Sequence, residues 1–175
     1  AMCTHGRVHG HPFGDYHELG TNFRMTEFQG ALLLAQLARL EDQNKHRDAN
    51  ATYLTKHLEN LPGLRAIKRD SRLTLWGFYH WNFKFVPDLW EGITRDQFVE
   101  AAMAEGLPIG PGMQVAPMFE CPLYAENKAP SRIQDCPNCY VWKEEALNFS
   151  HRVFLGPQED MDLIYATFLK SWDNR

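Results

Sequence analysis

The stretch GTNFRMTEFQGALLLAQLARL, residues 20–40, decides the architecture. Thr26 followed three residues later by Gln29 is a capping box, so a helix starts here. Phe28, Ala31, Leu32 and Ala35 fall on one stripe of that helix, and Leu33, Leu37 and Leu40 on another. A helix apolar on most of its circumference is buried between layers or in a subunit interface. The polar side chains of Asn22, Arg24, Glu27 and Gln29 therefore crowd the mouth of an apolar helix.

Outward from this point, a second helical run is expected from about Lys45, with Ala51, Leu54, Leu58 and Leu61 on one face and Pro62-Gly63 as its stop. Leu64–Lys68 reads as a short strand. In FYHWNFKFV, residues 78–86, Tyr79, Trp81, Phe83 and Phe85 alternate with His80, Asn82 and Lys84, the period of a half-buried strand. TRDQFVEAAMAEG follows as a helix, with a Thr94/Gln97 capping box and Gly106 at its end. Further strands are expected at 107–109 and 149–154, and a helix over about 137–147. The last helix has Pro157 in its first turn, acidic residues beside it, and Met161, Ile164, Tyr165, Phe168, Leu169 and Trp172 on one face. This order predicts an α+β fold: long interface helices, then a small, mostly antiparallel sheet with helices on one face. The expected organisation is a loop over 1–25, a helical arm over 26–62 and a small α+β domain over 63–175.

Composition excludes several classes. The net charge of −4 has no Lys/Arg stripe beside it, which argues against nucleic acid and anionic membranes as partners. No run approaches the roughly 20 apolar residues of a membrane span. The N-terminus has no signal-peptide pattern, and it opens inside a Gly/His-rich loop like the interior of a longer chain. Four cysteines are too sparse for a secreted disulfide scaffold, so a cytoplasmic setting is expected.

Gly20, Asn22, Arg24, Met25, Glu27, Gln29 and Ala31, continued by Ala35, Gln36, Leu37, Arg39 and Leu40, resemble the signature of the DegT/StrS family of pyridoxal-phosphate-dependent sugar or cyclitol aminotransferases. LPGL at 61–64, CPLY at 121–124 and the last 30 residues extend the likeness over nearly the whole chain. The resemblance implies the C-terminal portion of a fold-type I aminotransferase and a homodimer in which this loop reaches the partner's active site. It makes Asn22 a donor to the cofactor phosphate. Arg24 is divided between phosphate, substrate carboxylate and loop structure, since its planar cation suits either anion. A local Arg24–Glu27 ion pair is the plainer alternative.

The same resemblance places the turn-rich stretch 110–124 over the substrate, with Met113, Gln114, Pro117 and Phe119 as contacts and His17 near the site. Phe119 stands where many members have histidine. A plain solvent loop is the competing reading of this stretch. Family chemistry needs a Schiff-base lysine upstream of the signature, and lysines 45, 56, 68, 84, 128, 143 and 170 do not sit in the turn the family uses. No catalytic residue is therefore expected in this chain, which alone should be inactive. Cys136-x-x-Cys139, with Cys121 and His151, is weak for zinc, and its Pro137 fits a helix start. Redox chemistry at CPNC lacks a βαβ context. His5, His9, His11 and His17 lie in a Gly-rich segment short of carboxylates, so no metal site is expected. His80 reads as a hydrogen-bonded sheet histidine.

The expected function of the intact protein is transfer of an amino group from glutamate or glutamine to a keto-sugar nucleotide or cyclitol ketone. The rival is a non-catalytic α+β module that binds a small ligand or holds a dimer.

Overall fold

The computed structural model describes residues 25–112, 132 and 135–175. The chain divides into two compact units, Ala1–Glu41 and Asp42–Arg175. In the first, the capping box forms as the sequence predicts: Thr26 N donates to Gln29 Oε1 at 2.9 Å, and Gln29 N to Thr26 Oγ1 at 3.2 Å. Helix α1 begins at Glu27. Phe28, Leu32, Leu33, Leu34, Leu37 and Leu40 are exposed in the single chain.

One expectation is corrected here. No break precedes a second helix near Lys45, because α1 runs unbroken over Glu27–Leu58. The polar stretch 41–50 contains no Gly or Pro to stop it. Its polar residues are instead bonded within the second unit. Asn50 donates to the carbonyls of Phe154 at 3.1 Å and Gly156 at 3.0 Å, and Arg47 to Asn44 Oδ1 at 2.8 Å. Beyond it, Ala51, Leu54 and Leu58 are buried as their spacing predicts.

Strands β1 (Leu64–Ala66), β2 (His80–Phe85), β3 (Ile109–Pro111) and β4 (Ala146–Ser150) form one sheet in the order β1-β2-β4-β3. Every pairing is antiparallel, with Trp81 opposite Phe149, Asn82 opposite Asn148 and Ile109 opposite Phe149. Helix α2 (Arg95–Ala104) carries the predicted Thr94/Gln97 capping box, and Gly106 follows it with a φ of 92° that glycine tolerates. Helices α3 (Pro137–Glu145) and α4 (Gln158–Asp173) complete the second unit.

Alternation sends Trp81, Phe83 and Phe85 to one face of β2, where all three are fully buried. They meet Phe149 from β4, Phe98 from α2 and Phe168 from α4. Ring centroids lie 5.6 Å apart for Phe83–Phe149, 5.7 Å for Phe83–Phe168 and 5.6 Å for Phe85–Phe98. Such spacings suit tilted and offset aromatic packing. Tyr79 departs from the expected stripe: it lies just before β2 and is 71% exposed. The strand expected at 149–154 is shifted to Ala146–Ser150, and Val153–Leu155 forms a single 3-10 turn that buries Phe154. The strand expected at 107–109 is likewise moved to Ile109–Pro111, where edge position accommodates a proline.

Candidate functional site

The face of the sheet turned away from the aromatic core is polar. Period two brings His80, Asn82 and Lys84 of β2 to it, and Asn148 and Ser150 of β4 beside them. Asn148 is buried, with Leu147 and Phe149 on either side of it. Its Nδ2 donates to the Pro111 carbonyl, so its Oδ1 is the acceptor that faces His80 Nδ1 at 3.3 Å. His80 then donates through Nδ1, and its Nε2 is the ring's remaining acceptor when neutral. This bears out the reading of His80 as a bonded sheet histidine. Asn148, which spans β2 and the β3 edge, was missed. Its one signal in the sequence is an amide flanked by apolar residues in ALNFS.

At one end of this face, His151 N donates to Tyr79 O at 3.1 Å, and the Tyr79 ring lies 4.6 Å from that of His80 and 5.5 Å from that of His151. Toward the other end, Lys84 Nζ bonds Glu145 Oε2 at 2.6 Å and stands 6.0 Å from the Trp142 ring of α3. Arg95 Nη1 donates to the carbonyls of Lys143 at 2.7 Å and Ala146 at 3.2 Å, which ties the end of α3 to the start of α2. Gly112 closes this face at the end of β3. Its N–H donates to Ala146 O at 2.9 Å, and a Cβ there would stand 2.3 Å from the Ala146 Cβ. No side chain fits at that approach.

Chemically, the face offers neutral donors and acceptors with one half-buried ion pair. Among the described residues no group of three or more His, Cys, Asp or Glu side chains is placed to hold a metal ion. The fit to pyridoxal phosphate can be tested on two lysines. Lys84 is held by Glu145 at 2.6 Å and Lys170 by Glu105 at 2.7 Å, each as one half of an ion pair on a partly exposed surface. Neither pair is the free amine beside an enclosed site that the cofactor requires. These two lysines do not fit the Schiff-base role and supply no step of its chemistry.

The residues singled out from sequence divide sharply. His17, Asn22 and Arg24, and Met113, Gln114, Pro117 and Phe119, all lie outside the described residues. So do Cys3, Cys121 and the histidines at 5, 9 and 11. Glu27 is the first residue of α1, where its charge suits the helix N-terminus. Cys136 is the N-cap of α3 and Cys139 its third residue, with Pro137 in the first turn as predicted. Partial burial and the neighbouring Cys139 push the Cys136 thiol above its ordinary range.

Comparison with known proteins bears on the whole chain. Residues 1–168 match the sequence model of the DegT/DnrJ/EryC1/StrS aminotransferase family. The chain is 29% identical over 170 residues to L-glutamine:scyllo-inosose aminotransferase of Streptomyces griseus, covering 89% of this chain and 39% of that protein. It is 30% identical over 167 residues to L-glutamine:2-deoxy-scyllo-inosose aminotransferase of Streptoalloteichus tenebrarius, covering 87% of this chain and 38% of the relative. The fold resembles the crystal structure of 3-amino-5-hydroxybenzoic acid synthase, with a TM-score of 0.78 at 23% identity over 99% of this chain and 46% of that one. The chain spans between 22% and 39% of the length of the curated relatives it matches.

Proposed function

The chain belongs to the DegT/DnrJ/EryC1/StrS aminotransferase family, and from that premise we propose that it forms the C-terminal part of a pyridoxal-phosphate-dependent enzyme that moves an amino group from L-glutamine to a cyclitol ketone. One observation carries this reading: two relatives named for L-glutamine and a scyllo-inosose align with 89% and 87% of the chain. Neither of these two relatives is named for a nucleotide-linked keto-sugar, the other substrate class implied by the signature.

In this reading the intact protein is a homodimer. The exposed leucines of α1 between Glu27 and Leu40 are its arm, since an apolar surface of this kind marks an interaction site. Asn22 and Arg24, just ahead of the arm, would reach the partner's cofactor phosphate. The stretch 113–119 would cover the substrate, supported by the fixed exit of β3 at Gly112. In this reading a segment that carries the Schiff-base lysine would complete the enzyme, and the 175-residue chain alone would not transaminate.

The test supplies pyridoxal phosphate, L-glutamine and scyllo-inosose to the product of the longer reading frame and, separately, to this chain. Mass spectrometry of the aminocyclitol reads the result. Conversion by the long form only supports the proposal. A long form that converts a nucleotide-linked keto-sugar and leaves the cyclitol untouched overturns the substrate class. A long form that binds no pyridoxal phosphate overturns the enzyme reading and favours the binding module. Replacing Leu34 and Leu37 with Glu should shift the sedimentation of the long form from dimer to monomer.

A further inference from the structure

The two positions that form capping boxes at the starts of α1 and α2 carry a different pair of side chains at the start of α3. At α1 and α2 the N-cap and the third helical residue are Thr and Gln, and they exchange reciprocal hydrogen bonds. At α3 these two positions are Cys136 and Cys139. The Cys139 N–H donates to Cys136 O at 2.9 Å, which closes the first turn and brings the two positions to the same side of the helix mouth. Pro137 fixes φ at the first helical position, so this turn loses little freedom when it is cross-linked. Both cysteines are free; Cys139 is exposed and Cys136 half-buried.

We propose that Cys136 and Cys139 form a thiol–disulfide exchange site whose substrate is a low-molecular-weight disulfide of the glutathione class. The exposed sulfur of Cys139, as thiolate, attacks one sulfur of the external disulfide. A mixed disulfide forms on Cys139 and one small thiol leaves. Cys136 then gives its proton to solvent and attacks Cys139 Sγ, releasing the second small thiol and closing the intramolecular bridge. Two protein thiols are oxidised and one external disulfide is reduced to two thiols, so atoms and electrons balance. The order follows from access, because Cys139 is the sulfur that a small molecule reaches. The raised Cys136 thiol keeps its proton until the mixed disulfide is beside it. The assignment does not depend on the aminotransferase reading.

The test equilibrates the reduced 175-residue chain with mixtures of reduced and oxidised glutathione, quenches in acid and maps the peptide between Arg132 and Lys143. That peptide should lose the mass of two hydrogen atoms. Cys136→Ser should trap one glutathione on Cys139, and Cys139→Ser should take up glutathione about tenfold more slowly. The native chain should close the bridge at a lower share of oxidised glutathione than the same chain in urea, since the turn holds the sulfurs together. Three results overturn the proposal: a bridge from either cysteine to Cys3 or Cys121, a stable glutathione on each cysteine with no ring closure, or a bridge that forms more readily in urea than in the folded chain.

Discussion

Gly63→Ala tests whether the turn after α1 is held by steric fit. The glycine stands in the LPGL segment that ends the helix, and a Cβ placed on it would lie 2.2 Å from Trp172 Cζ3 and 2.6 Å from Trp90 Nε1. Carbon atoms rest about 3.5 Å apart or more, so the ring edge must retreat by roughly 1.3 Å. Two escapes exist. If Trp172 swings outward, it leaves its edge-to-face contact with Trp90 at 5.1 Å and its stacking under Arg175 at 3.7 Å. An aromatic pair of this kind contributes about 0.5–1.5 kcal/mol beyond its area. If Trp90 moves instead, its buried Nε1–H leaves the Gly63 carbonyl, now 2.7 Å away, at a cost of about 1–3 kcal/mol. Reduced freedom of the unfolded chain returns about 0.4–1 kcal/mol to the alanine variant. The expected loss is therefore about 1 kcal/mol, a fall of about 0.5 M in the urea midpoint at an unchanged slope. Gly63 does not have a left-handed φ, so the penalty is steric and a smaller neighbour should relieve it. In a cycle with Trp172→Leu, the double variant should be more stable than the sum of the singles by about 1 kcal/mol. An alanine variant within 0.5 kcal/mol of the parent, or strict additivity with Trp172→Leu, would refute the packing argument.

Other outcomes follow from single contacts. Asn50→Ala removes the amide that serves Phe154 O, while Gly156 O keeps His46 at 2.7 Å, so urea unfolding should register a loss of about 1–2 kcal/mol. Thr94→Ala deletes one half of the α2 capping box and should cost about 1 kcal/mol, with Thr94→Ser recovering most of it in the same assay. Tyr53 donates to Asp162 Oδ1 at 2.6 Å, and this hydrogen bond raises the phenol above its ordinary value of 10.0. The native state therefore holds this proton longer than the unfolded chain. Its contribution is complete below the unfolded pKa and disappears as pH rises through the native one. Asp162→Asn should move the alkaline phenolate absorbance of Tyr53 to lower pH, and an unmoved titration would discard the assignment.

The parts of the fold that were legible in sequence are those in which one local rule acts alone. Thr26/Gln29 and Thr94/Gln97 fixed two helix starts, and the Met161–Trp172 face fixed α4. Misreadings occur where a buried polar group answers a distant backbone. The run 41–50 looks like a gap because its residues are polar, yet Asn50 is polar in order to satisfy carbonyls more than 100 positions away. Asn148 had the same effect on β4. An amide in a strand centre lowers strand propensity, and the observed strand begins three residues before the expected one. Tyr79 continued the aromatic period on paper, but the backbone enters the sheet only at His80. Each error is a tertiary hydrogen bond or a strand end, neither of which leaves a periodic trace.

The site is legible in a different way. Asn22, Arg24 and the 113–119 residues were singled out by likeness, since neither stretch has an apolar period that would place it. What the second unit adds is the anchoring of the chain on both sides of the longer stretch. Gly112 is locked against Ala146 by a backbone bond and by the absence of room for a side chain, and Cys136 caps α3, whose far end is held by Arg95. In the proposed reading, exchange of residues between these anchors would alter what a ligand meets while the aromatic core stays as it is. A scaffold of this kind suits relatives that differ in substrate while sharing a fold. The cysteine pair sits at the second of these anchors, so closing the bridge would stiffen the point of re-entry while the sheet behind it stays as it is.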